Sequence, residues 1–164
     1  MALPNKVLPG FVASLYMQPS ASPTPLSIAN LSVVASVSPI AVSANLLEVE
    51  AIPLFGQEDA VASFMVAGSR QSDKIPVQSA PASMTLVAAW NPTNANLLLI
   101  RGDAYSGLID RTYVIAAVEG ANIVYFAFNA RASQFTIEPA PGAETQCTFT
   151  LHPRGNQYGW SNNA

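Results

Sequence analysis

The sequence predicts a mainly β fold, a sandwich- or barrel-like subunit with one short helix flanking it. Three observations lead there. Several runs of 6–10 residues alternate apolar and polar side chains with a period of two, as half-buried strands do. The breaks between them are rich in the chain's 13 prolines and 9 glycines. A helix-start signal stands out at one place only, Asn91-Pro92-Thr93-Asn94.

Residues 1–10 hold Pro4 and Pro9 and read as an extended arm, because proline blocks helix and biases its predecessor to open conformations. Residues 11–17 form a short strand candidate. Residues 18–25 carry Pro19, Pro23 and Pro25 and read as a loop. Residues 28–37 read as a strand through Val33, Val34 and Val37, ended by Pro39. Residues 45–52 alternate Leu47, Val49 and Ala51 against Leu46, Glu48 and Glu50. Two acids on one strand face place that face in water.

Residues 53–81 read as one long insertion, with a strand possible at 61–66. It holds Glu58, Asp59, Arg70, Asp73 and Lys74, five of the chain's 17 charged side chains. Loops of that length are functional or docked on a partner.

Residues 83–90 form a strand ending in Trp90. Asn94 or Thr93 then caps a short apolar helix over 95–101, with Gly102 as its stop. Residues 111–118 and 121–128 flank Glu119-Gly120, the pattern of a tight hairpin. Further strands follow at 132–138 and 146–152, separated by Pro139, Pro141 and Gly142. Residues 153–164 read as a polar tail. The chain has no internal repeat, and its 164 residues suit a single domain with a real core.

Only 10% of residues are charged and half are apolar, against about 25% charged in an ordinary soluble domain. A surface so poor in charge is the composition of a face covered by other subunits. The net charge of −3 comes without any basic cluster, which excludes tight phosphate-neutralising contact with nucleic acid. The acidic balance is compatible with a wall past which a polyanion slides. The single Cys147 cannot form an intramolecular disulfide, which fits a cytoplasmic origin. No convincing signal peptide is present, and no apolar run approaches the roughly 20 residues that span a bilayer.

Chemistry has little to build on. Cys147 and His152 stand five apart in one predicted strand, so they point to opposite faces. The thiol reads as buried and inert, and the imidazole as structural. Glu48 with Glu50, and Glu58 with Asp59, are too few carboxylates for a calcium site. No Gly-x-Ser-x-Gly elbow, phosphate-cradling loop or dinucleotide fingerprint occurs. Arg101-Gly102-Asp103 is a chance tripeptide at the predicted helix end, and the sequon Asn30-Leu31-Ser32 has no secretion signal beside it. The chain reads as a non-enzyme without cofactor or metal. Long apolar hairpins need their edges paired or protected, and joining edges between subunits in a ring is one way to do it.

The strand Ser83-Met84-Thr85-Leu86-Val87-Ala88-Ala89-Trp90, the Pro-containing turn, the short helix, the hairpin and the two following strands come in a set order. That order resembles the tail tube protein of lambda-like long-tailed phages over roughly residues 3–155. The resemblance implies hexameric rings whose inner strands close one β-barrel. The rings would stack into a virion tail tube through which DNA passes without specific binding. It implies self-association, tape measure and terminator partners, no membrane, and synthesis in the host cytoplasm. It makes Glu48, Glu50 and Glu119 candidates for the lumen. It makes Pro4, Pro9, Phe55, Glu58, Asp59, Arg70, Asp73 and Lys74 candidates for contacts between subunits or rings. The same residues also fit a capsid cement protein or a tail terminator. A carbohydrate-binding sandwich using Tyr105, Tyr158 and Trp160 is a further alternative.

Overall fold

In the computed structural model, residues 12–21, 23, 39–53, 55–65, 72–119, 122–140, 142–154 and 159–163 are described. They hold strands β1 (Val12–Met17), β2 (Leu46–Leu47), β3 (Gln57–Met65), β4 (Ser72–Pro81), β5 (Met84–Ala89), β6 (Asp110–Glu119), β7 (Asn122–Glu138), β8 (Gln146–Pro153) and β9 (Gly159–Asn163). Helix α1 (Ala95–Ser106) lies between β5 and β6. The mainly β architecture with one flanking helix is the one the sequence predicts. The predicted strand at 28–37 and the arm at 1–10 lie outside the described residues.

The main sheet runs β2-β1-β6-β7-β8-β5, all antiparallel, and β9 also pairs with β7. It curls into a half-barrel. The curl is closed further by residues 46–50, which touch both of its edges. Leu47 pairs with Leu15 of edge strand β1. Two residues on, Val49 bridges Ala88 of the opposite edge strand β5, and the Glu50 amide donates to the Val87 carbonyl at 2.9 Å. This crossing is why the strand predicted over 45–52 is only two residues long: the segment changes partners midway and cannot sustain one ladder.

Inside the curl lies the main core. Leu15, Met17, Leu47, Met84, Leu86, Tyr113, Ile115, Phe128, Cys147, Phe149 and Leu151 pack there, with Leu97 and Ile100 of α1. The alternation that predicts β5 and β8 is the observed one, with Met84, Leu86, Ala88 and Cys147, Phe149, Leu151 buried. In β6 every residue from Arg111 to Ala117 is buried. Val114 and Ala116 face a second cluster with Tyr125, Ala127 and Ile40 on the sheet's other side. A central strand covered on both faces reads as a continuous apolar run, as here.

Helix α1 runs five residues past the predicted end. Gly102 sits within it, and the helix stops at Gly107, whose φ of 63° is the left-handed cap conformation and whose amide donates to the Asp103 carbonyl at 2.8 Å. An interior glycine costs about 1 kcal/mol against alanine but leaves the hydrogen-bond ladder whole, so it does not end a helix that packing holds. At the other end the Asn94 Oδ1 accepts from the amides of Asn96 at 3.0 Å and Leu97 at 3.3 Å. Asn94→Ala should therefore lower stability by about 1 kcal/mol, read as a lower denaturant midpoint at unchanged slope.

Three further differences have physical causes. The two strands predicted over 121–138 are one 17-residue strand, because β7 pairs β6 along its first part and β8 along its second. Its irregularity is a bulge between Ser133 and Thr136, with Gln134 at a φ of 53°. The predicted polar tail contains β9, which pairs residues 123–127 of β7 on the edge that β8 leaves free. The predicted insertion at 53–81 is largely a hairpin, β3 with β4, in a separate two-stranded sheet. Its register shifts at Ala60/Val61, opposite Pro76 and Gln78. Proline lacks the amide a regular ladder needs, so it is met at bulges.

Candidate assembly surface

Among the described residues no three His, Cys, Asp or Glu side chains cluster as metal ligands. No described helix is long and apolar enough to cross a membrane. Cys147 is fully buried, and burial pushes its thiol pKa up. His152 is exposed on the other face of β8, as the odd spacing requires. Its Nδ1 lies 2.8 Å from Ser83 Oγ and its Nε2 2.7 Å from Ser133 Oγ. The imidazole thus links β7, β8 and the start of β5. Both of its partners are hydroxyls, so no carboxylate orients it as a catalytic base is oriented.

The chemically costliest feature is structural. Asp103 of α1 and Arg111 of β6 are 3% and 4% exposed. Arg111 Nε donates to Asp103 Oδ2, its second guanidinium nitrogen donates to Oδ1 at 3.0 Å, and its third donates to the Pro19 carbonyl after β1. The hydrogen bond with Asp103 raises the Arg111 pKa despite burial. The tripeptide Arg101-Gly102-Asp103 is therefore no exposed ligand loop: it lies in a helix with its aspartate buried. Beside it, Arg131 donates to Asp110 at 2.7 Å and to the carbonyls of Gly107 and Leu108 at 2.9 and 3.1 Å. It anchors the α1–β6 turn to β7.

Tyr113 stacks on Phe128 with ring centroids 5.8 Å apart, and burial pushes its phenol pKa well up. The linkage sign follows from the protons. Above the ordinary thiol and phenol values, about 8.5 and 10, the unfolded chain gives up protons that the folded chain keeps on Cys147 and Tyr113. Stability falls as pH rises through that range. Denaturant midpoints should drop between pH 8 and pH 10.5, and Tyr113→Phe should flatten the drop.

The predicted contact residues are scattered. Glu48 and Glu50 are both exposed, on the strip that crosses between the sheet's two edges. Gln146 Nε2 donates to Glu50 Oε1. Glu119 ends β6 opposite Asn122, one step past the Val118–Val12 pair. That puts it four residues, about 13 Å, beyond the level of the Leu15–Leu47 pair, so the register does not join it to Glu48. Phe55 is half-buried against the main core, its ring 5.2 Å from Phe126. Glu58 and Asp59 lie in β3, and Asp73 and Lys74 in β4. Pro4, Pro9, Arg70 and Tyr158 lie outside the described residues, and Trp160 is in β9.

Sequence reasoning missed two surface features. One is the edge-to-edge crossing at 46–50, which no local pattern encodes. The other is the outer side of α1, where Leu98, Tyr105 and the following Leu108 are exposed. That one was partly visible: a helix with leucines at 97, 98 and 99 cannot bury them all.

No protein-family model matches the chain, and no curated protein does. Solved structures do. A chain of the anti-feeding prophage baseplate, from a 6-fold symmetrised cryo-EM structure, superposes with a TM-score of 0.60 at 12% identity, covering 94% of this chain and 95% of that one. A chain from the cryo-EM structure of an extracellular contractile injection system, described as the PVC sheath/tube terminator in the extended state, gives 0.64 at 10% identity, covering 99% and 100%. The SPP1 tail tube gives 0.52 at 12% identity, covering 93% and 76%. The chain has a tail-tube-like fold, shared over nearly its whole length with chains of baseplate, terminator and tube assemblies.

Proposed function

We propose that this protein is a non-enzymatic structural subunit of a phage-type tail, forming hexameric rings that stack into a tube through which DNA is ejected. The observation that carries this reading is the fold likeness across whole chains, two of which belong to a 6-fold symmetrised baseplate and a sheath/tube terminator. A half-barrel with two edge strands and 10% charged residues supports it physically, since edges and bare surface are what subunit contact covers. In this reading the hairpin β3–β4, with Glu58, Asp59, Asp73 and Lys74, reaches a neighbouring subunit or ring. Pro4, Pro9, Phe55 and Arg70 belong to the same contacts, and Glu48, Glu50 and Glu119 face the lumen. The further partners are a tape measure and a terminator, in the tail of a long-tailed virion assembled in the host cytoplasm.

A second reading, that the chain is itself a terminator, is favoured by the full-length match to the terminator chain. Negative-stain microscopy of the purified protein separates them. Open-ended tubes are expected for a tube subunit and discrete single rings for a terminator. A dispersed monomer at every concentration overturns both. In assembled tubes, replacing Glu48 and Glu50 together by Lys should make the lumen retain DNA in a salt-sensitive way. Retention unchanged from wild type removes these residues from the lumen.

A further inference from the structure

The outer side of α1 is built unlike a free surface. Leu98, Arg101, Gly102 and Tyr105 follow the i, i+3, i+4, i+7 spacing of one helix face, and all four are exposed. Leu108 extends the ridge just past the helix. Leu98 is 43% exposed, Tyr105 76% and Leu108 77%. Together they make an apolar patch on the order of 300 Å², the size at which exposed surface marks an interaction site.

Gly102 lies in the middle of it. Glycine is the poorest helix former after proline. Nothing inside the chain requires one here: a Cβ built at Gly102 meets no atom within 4 Å, and its φ is not in the left-handed region. A glycine that the subunit does not need is what close approach of another backbone needs.

The charge on the ridge points to the occupant. Arg101 lies over the Tyr105 ring, 5.9 Å from its centroid, and makes no ion pair among the described residues. Elsewhere on the same chain, exposed Ile137 stands beside exposed Glu138 at the end of β7, and Glu138 is likewise in no ion pair. One apolar surface with a free cation matches another with a free anion. We infer that the α1 ridge seats the end of β7 of a second copy of this chain, with the backbone crossing at Gly102 and Arg101 meeting Glu138. A contact between two different surfaces is the kind that repeats around a ring.

The inference rests on the self-assembly proposed above, and the experiment keeps the two apart. Gly102→Ala should raise the denaturant midpoint of the dissociated subunit while weakening assembly, with the critical concentration about tenfold higher or more. Arg101→Glu should weaken assembly as well, and combining it with Glu138→Arg should restore much of the loss. Assembly by Gly102→Ala and Arg101→Glu at the wild-type concentration would overturn the ridge as an interface and leave the self-assembly reading standing. Failure of the Arg101→Glu, Glu138→Arg pair to recover any assembly would overturn the end of β7 as the occupant. A wild-type chain that never assembles would overturn both readings.

Discussion

Arg111→Ala should destabilise the subunit by about 3–5 kcal/mol, more than an ordinary surface change by an order of magnitude. The guanidinium neutralises Asp103 where neither group meets water, and it also satisfies the Pro19 carbonyl. Removing it leaves a carboxylate charged and buried without a partner. The cost is that unpaired charge rather than the worth of the pair. A paired replacement, Asp103→Leu with Arg111→Met, should therefore lose less than Arg111→Ala alone, because it removes both charges and keeps the volume. Chemical denaturation of the three variants checks this ordering. If the double variant proves the least stable, the pair contributes more than compensation. Because the pair joins α1, β6 and the turn after β1, Arg111→Ala should also expose α1 amides to hydrogen exchange first.

Phe149→Ala should cost about 3–5 kcal/mol. Phe149 is fully buried on β8, and its ring stacks on Phe135 with centroids 6.3 Å apart. Phe135 in turn meets Trp90 edge-on at 5.7 Å. These three rings tie the bulged part of β7 to β8 and to the end of β5. Truncation opens a cavity that the curled sheet cannot collapse around, since its strands are fixed by ladders on both sides. The midpoint of unfolding should fall accordingly. Phe149→Leu, which keeps most of the volume, should lose much less. Equal losses in the two variants would point to ring stacking rather than cavity volume as the source of stability.

Much of the strand pattern was legible because burial on one face leaves a period of two. Met84, Leu86 and Ala88, and Cys147, Phe149 and Leu151, announce β5 and β8 in this way. The helix start was legible because Asn94 caps through its own side chain, a local event. The helix end was not. Gly102 has the composition of a stop, and Gly107 is the stop, because Asp103 and Ile100 are held in place by Arg111 and the core. The hairpin at β3–β4 was obscured by Pro76, which a bulge accommodates. Of the predicted contact residues, exposure of Glu48 and Glu50 was legible from their shared strand face, and the half-burial of Phe55 was not.

The sequence by itself determined the class of this protein: a charge-poor, mainly β chain with one helix and too few reactive side chains to make a site. Those properties depend on composition and on spacings within ten residues. Tertiary structure alone decided how the sheet closes and what surface is left over. Residues 46–50 turn a strand-like pattern into a strip joining β1 to β5, and the packing of Leu97 and Ile100 leaves Leu98, Gly102 and Tyr105 outside. Backbone ladders and helix faces are chosen by partners far away in the chain. A pattern in ten residues can say that a side is apolar, and only the folded chain says whether its own core or a neighbour covers it.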